Sequence, residues 1–196
     1  MRGYGIFSVL YLMACVVFTK IFFRPARIIR LPVSIRFRNR IKFGHGFTTG
    51  VGCRIDALVV EGHPSKTKIY FGTSVQINDY VHIAAVDSIV IGNDVLIASK
   101  VFITDHNHGS YSSPNGSDPM SKPASRPLVV SPVVIRDNVW IGEFVSILPG
   151  VTIGKGSVIG SNTIVTSDIP EYSIAVGSPA RVVKRYDFEL EEWVRV

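Results

Sequence analysis

The sequence predicts an all-β solenoid, a coil of short parallel strands, preceded by one apolar helix. An aliphatic residue returns at every sixth position from Ile135 to Val165, and a small or branched residue follows four places after each. The first set is Ile135, Ile141, Ile147, Ile153, Ile159 and Val165, and the second is Val139, Val145, Val151, Ser157 and Thr163. A period of six is neither helical nor that of a plain strand. It fits one short strand plus one corner, with three such units in a triangular coil. We expect the aliphatic residue to point inward and the small residue to lie near the corner.

The same spacing occurs upstream with interruptions. Its members are Phe37, Phe43, Thr49 and Ile55, then Ile77 and Ile83, then Ile91, Ile97 and Ile103. Two extra residues precede Ile91. Between Ile55 and Phe71 the spacing is lost over a stretch rich in Gly, Pro, Ser and Lys, which predicts a loop.

Composition agrees with one folded domain. The chain has 196 residues, of which 46% are hydrophobic and 18% charged, far from a disordered composition. The net charge of +6 is concentrated between residues 20 and 42. No aromatic recognition motif is interleaved there, so no nucleic-acid partner is expected. Cys15 and Cys53 do not suggest a disulfide framework, and Cys53, at a small-residue position, is interpreted as a core thiol.

The amino terminus is apolar from Ile6 to Thr19, and basic residues follow it. Three interpretations stay open: a membrane-anchoring or interfacial helix, a helix packed on the coil or on sister subunits, and a secretory signal. The predicted organisation is segment 1–32 as a possible membrane anchor, a β-helix domain over 33–185 and a tail over 186–196. The predicted location is cytoplasmic, peripheral on or anchored to the inner membrane.

The second interruption of the six-residue repeat contains residues suited to catalysis. Ile103 is followed by Thr104-Asp105-His106-Asn107-His108, and then by a polar, Pro- and Gly-rich loop over 109–132. A long insertion in a regular solenoid is usually functional. Two histidines at its root leave a rigid coil, so we expect them to be well positioned for substrate chemistry.

Together these residues resemble the hexapeptide-repeat acyltransferases. The resemblance covers about residues 35–185 and rests on four segments: the Ile-Gly-x-x-Val-x array, the Asp105–Gly109 motif with its loop, Asn138-Val139-Trp140-Ile141-Gly142, and the tail around Gly177-Ser178-Pro179-Ala180-Arg181. The most similar branch is the maltose, galactoside and surface-polysaccharide O-acetyltransferases. The resemblance implies a left-handed parallel β-helix, a homotrimer, acetyl-CoA as cosubstrate with no metal, and a sugar or glycan acceptor.

The resemblance also implies a direct mechanism in which a histidine removes the proton of the attacking sugar hydroxyl. In related enzymes this histidine lies five places after the last inward aliphatic residue. Counting from Ile103 favours His108 as the base, with His106 second. Asp105 or a main-chain carbonyl would orient the imidazole.

Six residues match cofactor positions of that family. Trp140 resembles the tryptophan that lines the cofactor cleft, while Gly142, Ser161 and Thr166 match positions along the pantetheine arm. Arg181 and Lys184 are candidates for the 3′-phosphate of acetyl-CoA. Two positions depart from the family pattern, Glu143 and Ser167, and the departures put the detailed cofactor contacts in question.

Two other functions remain open on the sequence. A zinc enzyme similar to the γ-type carbonic anhydrases would need three histidines per metal ion, with His82, His106 and His108 as candidates. A non-catalytic, glycan-binding solenoid is the second alternative, because a fold alone does not license a function.

Overall fold

The computed structural model describes residues 5–60, 68–112, 114 and 116–196. Helix α1 covers Ile6–Phe22, and two short 3₁₀ turns cover Arg38–Arg40 and Pro123–Ser125. The strands, in chain order, are β1 (Val33–Arg36), β2 (Ile41–Lys42), β3 (Cys53–Ala57), β4 (Ile69–Phe71), β5 (Gln76–Ile77), β6 (His82–Ala85), β7 (Ile89–Ile91), β8 (Leu96–Ile97), β9 (Phe102–Thr104), β10 (His106–His108), β11 (Leu128–Val130), β12 (Val133–Ile135), β13 (Trp140–Ile141), β14 (Ser146–Ile147), β15 (Thr152–Ile153), β16 (Val158–Ile159), β17 (Ile164–Val165), β18 (Ser173–Val176), β19 (Arg181–Asp187) and β20 (Glu192–Arg195).

Within these described residues the strands form three faces of a coil, and the fold is the predicted left-handed parallel β-helix. Sheet 1 has the order β20-β19-β18-β16-β13-β8-β5, sheet 2 the order β1-β3-β6-β9-β14-β17, and sheet 3 the order β15-β12-β7-β4-β2. Within these three sheets all described pairs are parallel except those of β18 with β19 and β19 with β20. Strands β10 and β11 form a separate antiparallel pair.

The six-residue period places one aliphatic side chain per strand inside the coil. The six aliphatic repeat residues from Ile135 to Val165 are all buried. The small residues at the corners, including Ser157 and Thr163, are buried as well. The prediction of inward aliphatic and corner small residues is therefore confirmed. Each coil buries its apolar side against the next, so the core is continuous along the axis.

Phe37 was predicted to point inward and does not. It lies at a left-handed corner with φ of 54° and is 50% exposed. Ile35, two positions earlier, pairs with Ile55 and takes the expected place. Ile35 and Phe43 are eight positions apart instead of six. The 3₁₀ turn at Arg38–Arg40 accommodates these two additional residues, so the six-residue spacing from Phe37 to Phe43 is coincidental.

Helix α1 packs on the amino-terminal end of the coil through one face. Cys15 and Thr19 are buried, and the Ile29 N–H donates to the Thr19 hydroxyl at 2.8 Å. Ile28 bridges Thr48, so the first coil begins inside the segment predicted as 1–32. Among the described residues, no helix has the length and apolar character needed to cross a membrane.

The carboxyl-terminal end of the coil is closed by an antiparallel extension. Strand β19 crosses the boundary predicted at residue 185, and β20 pairs with it inside the segment predicted as a tail. Of the loop predicted between Ile55 and Phe71, residues 61–67 lie outside the described residues. The predicted loop over 109–132 contains β11, which pairs antiparallel with β10.

Candidate active site

Asp105 is fully buried directly after β9 and holds the turn that follows β6. Its Oδ1 accepts from the Val86 N–H at 2.8 Å, and its Oδ2 accepts from the N–H groups of Asp87 and Ser88 at 2.7 and 2.8 Å. Burial by itself would raise the pKa of this carboxyl, but the hydrogen bond from His106 and the three N–H groups hold the pKa below the ordinary value. Asp105 is therefore ionised at neutral pH.

His106 is positioned by this carboxylate. Its Nδ1 lies 3.0 Å from Asp105 Oδ1 and 3.1 Å from the Thr104 hydroxyl, and its side chain is 11% exposed. Because an ionised carboxylate can only accept, Nδ1 carries the proton and Nε2 is left as the basic nitrogen. In the described part of the chain Nε2 has no hydrogen-bond partner. This is the arrangement of an acid-oriented general base.

His108 lies on the same short strand but is exposed. The two imidazole rings are 6.4 Å apart between centroids. The main-chain carbonyl of His108 accepts from the Tyr111 hydroxyl at 2.6 Å. Among the residues that the structure describes, no acid orients the His108 ring, so the geometry favours His106, whereas the count from Ile103 favoured His108.

The loop is organised by one guanidinium. Arg126 donates to the Tyr111 hydroxyl at 2.9 Å and to the Ser121 carbonyl at 2.9 Å. Gly109 turns the chain at φ of +96°, where a Cβ would lie 2.7 Å from the Ser117 hydroxyl. These contacts, with the β10–β11 pairing, fix the start of the loop beside His106.

A cavity of about 440 Å³ opens beside the two histidines. Its walls come from the outer face of sheet 2 and from β10: Arg36, Arg54, Asp56, Leu58, His82, Ala84, Phe102, Thr104, His106, Asn107, His108 and Leu148. Phe102 and Leu148 make part of the wall apolar, while the opposite end is charged. Such a mixture suits a sugar, which has apolar faces and polar edges.

The predicted cofactor residues lie elsewhere on the coil. Trp140 is on sheet 1, is 52% exposed and pairs with Leu96 and Val158. Gly142 lies close to the backbone of Ser161. A Cβ at position 142 would lie 2.7 Å from the Ser161 nitrogen, which leaves no room for a side chain. Thr166 and Arg181 are exposed, and Lys184 is half-buried in β19. None of these six residues lines the histidine cavity, so one chain does not bring the two sets together.

Neither cysteine is placed for catalysis. The Cys53 thiol donates to the Asn78 carbonyl at 3.0 Å, and burial raises its pKa to about 11. It is thus protonated at neutral pH, as expected of a core thiol. Although His82, His106 and His108 all line the cavity, no group of three or more His, Cys, Asp or Glu side chains among the described residues is arranged to hold a metal ion.

Sequence reasoning missed the charged end of the cavity. Arg36, Arg54 and Asp56 flank the inward residues Ile35 and Ile55 on β1 and β3. The signal that could have found them is the strand period of two, which places charged side chains on the outer face of the sheet that carries the histidine loop.

The comparisons with known proteins agree with this architecture. The family described as bacterial transferase hexapeptide (six repeats) matches residues 132–167. The chain is 47% identical, over 98% of its length and 95% of the relative, to WbbJ of Escherichia coli K12, which is named as an O-acetyl transferase of lipopolysaccharide biosynthesis.

Solved structures share the fold. AntD, an N-acyltransferase from Bacillus cereus, superposes with a TM-score of 0.70 at 21% identity, covering 89% of this chain and 90% of that one. A galactoside acetyltransferase in complex with coenzyme A is 31% identical, with a TM-score of 0.52, over 73% of this chain and 67% of its own. The chain is thus 47% identical to WbbJ over nearly its whole length and matches the hexapeptide family over residues 132–167. These two findings show that it belongs to the hexapeptide-repeat acetyltransferases.

Proposed function

We propose that this protein transfers the acetyl group of acetyl-CoA to a sugar hydroxyl during the synthesis of a bacterial surface polysaccharide, with His106 as general base. The observation that carries the proposal is the Asp105–His106 pair at the wall of the cavity, in a chain that is 47% identical to WbbJ over nearly its whole length.

The geometry supports the following reaction. The sugar hydroxyl attacks the thioester carbonyl while Nε2 of His106 takes its proton. The C–S bond then breaks, and the imidazolium gives this proton to the departing thiolate, which releases coenzyme A and restores His106. Asp105 stabilises the imidazolium formed in that step through Nδ1–H, because the carboxylate is held ionised. The attack is direct, so the buried thiol of Cys53 is not needed as a nucleophile.

The test is a screen for coenzyme A release by the purified protein. It would offer acetyl-CoA with free sugars, nucleotide sugars and lipid-linked glycans, each with mass spectrometry of the product. We expect acetyl ester formed on a sugar of at least one class. If coenzyme A release never exceeds acceptor-free hydrolysis, the proposed function is wrong.

The separation of the two residue sets supports a homotrimer. Trp140 stands on sheet 1 and the His106 cavity on sheet 2 of one chain, so a threefold arrangement can bring the histidine of one subunit to the tryptophan of the next. We propose that acetyl-CoA binds in this interface, along Trp140, Gly142, Ser161 and Thr166, with Arg181 and Lys184 near its 3′-phosphate.

Co-expression of two inactive variants checks this assembly. Chains with His106→Ala and chains with Trp140→Ala should each be nearly inactive at subsaturating acetyl-CoA. If each site takes one residue from each of two neighbours, randomly mixed trimers should regain about a quarter of the wild-type sites. No recovery in trimers shown by native mass spectrometry to contain both variants would place both residues in one subunit's site.

The exposed face of α1 supports contact with a membrane surface. Phe7 is 84% exposed, Met13 60% and Val17 59%, and the basic residues Lys20 and Arg24 follow this face. Apolar side chains beside basic ones favour an anionic lipid surface. We propose that α1 lies on the membrane with its other face packed on the coil.

The variant Phe7→Ser/Met13→Ser/Val17→Ser should lose binding to vesicles of anionic and neutral lipids in a sedimentation assay. The matched control is Leu190→Ser, which removes an equally exposed side chain at the far end of the coil and should bind like the wild type. Undiminished vesicle binding of the triple variant, or loss of the oligomer instead of the binding, would assign α1 to another role.

A further inference from the structure

The cavity beside His106 continues as a groove along the outer face of sheet 2. Strand pairing aligns Arg36 with Asp56, Ala84 and Thr104 in one row, and Arg54 with His82 and Phe102 in the next row. Neighbouring strands are about 4.8 Å apart. Arg54 therefore lies roughly 10 Å from the Phe102 end of its row, and Arg36 roughly 14 Å from Thr104. That separation leaves room for a sugar ring between the histidine and the guanidinium groups.

The far end of this groove is positively charged. Asp56 is fully buried, and Arg54 Nε donates to its Oδ2 at 2.6 Å, while Arg36 Nε lies 3.5 Å from its Oδ1. Two guanidinium groups thus share one carboxylate. The Nε2 atom of His82 lies 3.7 Å from Asp56. Burial and the neighbouring Arg54 lower the pKa of His82, so His82 is neutral near pH 7. The two arginines and Asp56 therefore carry a net charge of +1.

Both arginines keep their terminal nitrogens for a ligand. Each faces Asp56 through Nε, and among the described residues no other partner holds its NH₂ groups. Their side chains are 56% and 46% exposed, on the cavity wall. A buried carboxylate that accepts a hydrogen bond from one guanidinium and forms an ion pair with a second, beside an open groove, brings two cations together where an anion can reach both.

We propose that the acceptor is a sugar carrying a phosphate or diphosphate, which Arg36 and Arg54 bind while the acetylated hydroxyl reaches His106. This inference rests on the proposed function. A phosphate offers enough oxygens to engage two forks at once, whereas a carboxylate has two oxygens and matches one fork. The phosphate could belong to a nucleotide sugar or to a lipid-linked glycan, and the chemistry recognised is the same.

Binding of inorganic pyrophosphate, measured by calorimetry on the intact oligomer, tests the site without turnover. The wild type should bind it, and Arg36→Gln should weaken binding about 10- to 100-fold through the loss of charge-assisted hydrogen bonds. Arg136→Gln is the matched control, since Arg136 is an exposed arginine directly after β12 of sheet 3, and pyrophosphate binding by this variant should be unchanged. Equal binding by all three proteins, or none by the wild type, would overturn the proposal.

Arg54 needs a different design, because Arg54→Gln alone would leave Asp56 buried without its nearest partner. The double variant Arg54→Gln/Asp56→Asn removes both charges and should weaken pyrophosphate binding. Arg54→Lys keeps the charge and should retain part of it. If light scattering shows that Arg36→Gln or the double variant dissociates the oligomer, the arginines are subunit contacts and the proposal is wrong.

Steady-state kinetics separates this inference from the proposed function. The sugar most active in the coenzyme A screen would be compared as free sugar, as 1-phosphate, as nucleotide diphosphate, as lipid diphosphate and as its uronic acid. The Michaelis constant should be lowest for the phosphorylated acceptors. Arg36→Gln should raise the Michaelis constants of these acceptors only and leave the Michaelis constant for acetyl-CoA unchanged. Turnover of free sugars with no preference for phosphate would reject the phosphate site alone, whereas no turnover of any sugar would reject the function.

Discussion

Replacement of His106 by alanine is expected to lower kcat about 10²- to 10⁴-fold, the contribution of a positioned general base. His106 is the histidine whose Nδ1 is bound by a buried carboxylate and whose Nε2 remains without a partner in the described part of the chain. The Michaelis constant for acetyl-CoA should change little, because His106 acts on the proton of the acceptor hydroxyl and is not among the proposed cofactor residues. Single-turnover measurements with saturating acceptor would separate chemistry from product release.

The matched control is His108→Ala, on the same strand. His108 is exposed and no acid in the described part of the chain orients its ring, so its replacement should lower kcat less than about tenfold. The opposite ranking, with His108→Ala the more damaging variant, would return the base to the position that the count from Ile103 favours.

Replacement of Asp105 by asparagine should be almost as costly, with a fall in kcat of about 10²- to 10³-fold. The asparagine NH₂ would face N–H groups that now donate to Oδ1 and Oδ2, so a donor would oppose donors in the turn at residues 86–88. The amide would also favour the wrong tautomer of His106. The variant should unfold at a lower temperature as well.

Asp137→Asn is the control for a purely structural effect. The Asp137 carboxylate likewise accepts a backbone N–H from the preceding coil, at 2.7 Å from Asn93, but it lies away from the histidines. Its replacement should lower thermal stability slightly and leave kcat near the wild-type value. If both aspartate variants lose the same activity, Asp105 acts on the fold and not through His106.

Asp105 also predicts how stability depends on pH. Its pKa in the folded state lies below the ordinary value of 3.8. The stabilisation of the fold by ionised Asp105 is therefore complete at pH values above the pKa of this carboxyl in the unfolded chain. It is lost as the pH falls through the pKa of the carboxyl in the folded state. The difference in unfolding free energy between wild type and Asp105→Asn should be constant from neutral pH to about 5 and shrink in stronger acid. A difference that grows in acid would contradict the lowered pKa.

The later coils could be predicted residue by residue because their repeat is uninterrupted. From Ile135 onward each hexapeptide buries its own aliphatic residue against the same position of the next coil, so local spacing and tertiary position coincide. The early coils were less predictable. At Phe37 the spacing of six was accidental, since a 3₁₀ turn inserts two residues and passes the inward position to Ile35.

The sequence by itself determined the solenoid, the insertion with two histidines at its root, and the resemblance that predicts Trp140 and Ser161 as cofactor contacts. Only the tertiary structure decided which groups meet. Asp105 binds N–H groups 17 to 19 residues upstream, and Arg54 lies beside His82 across a strand pair. The physical reason is that insertions of unequal length separate successive coils, so contacts across the outer face follow strand register and not sequence spacing.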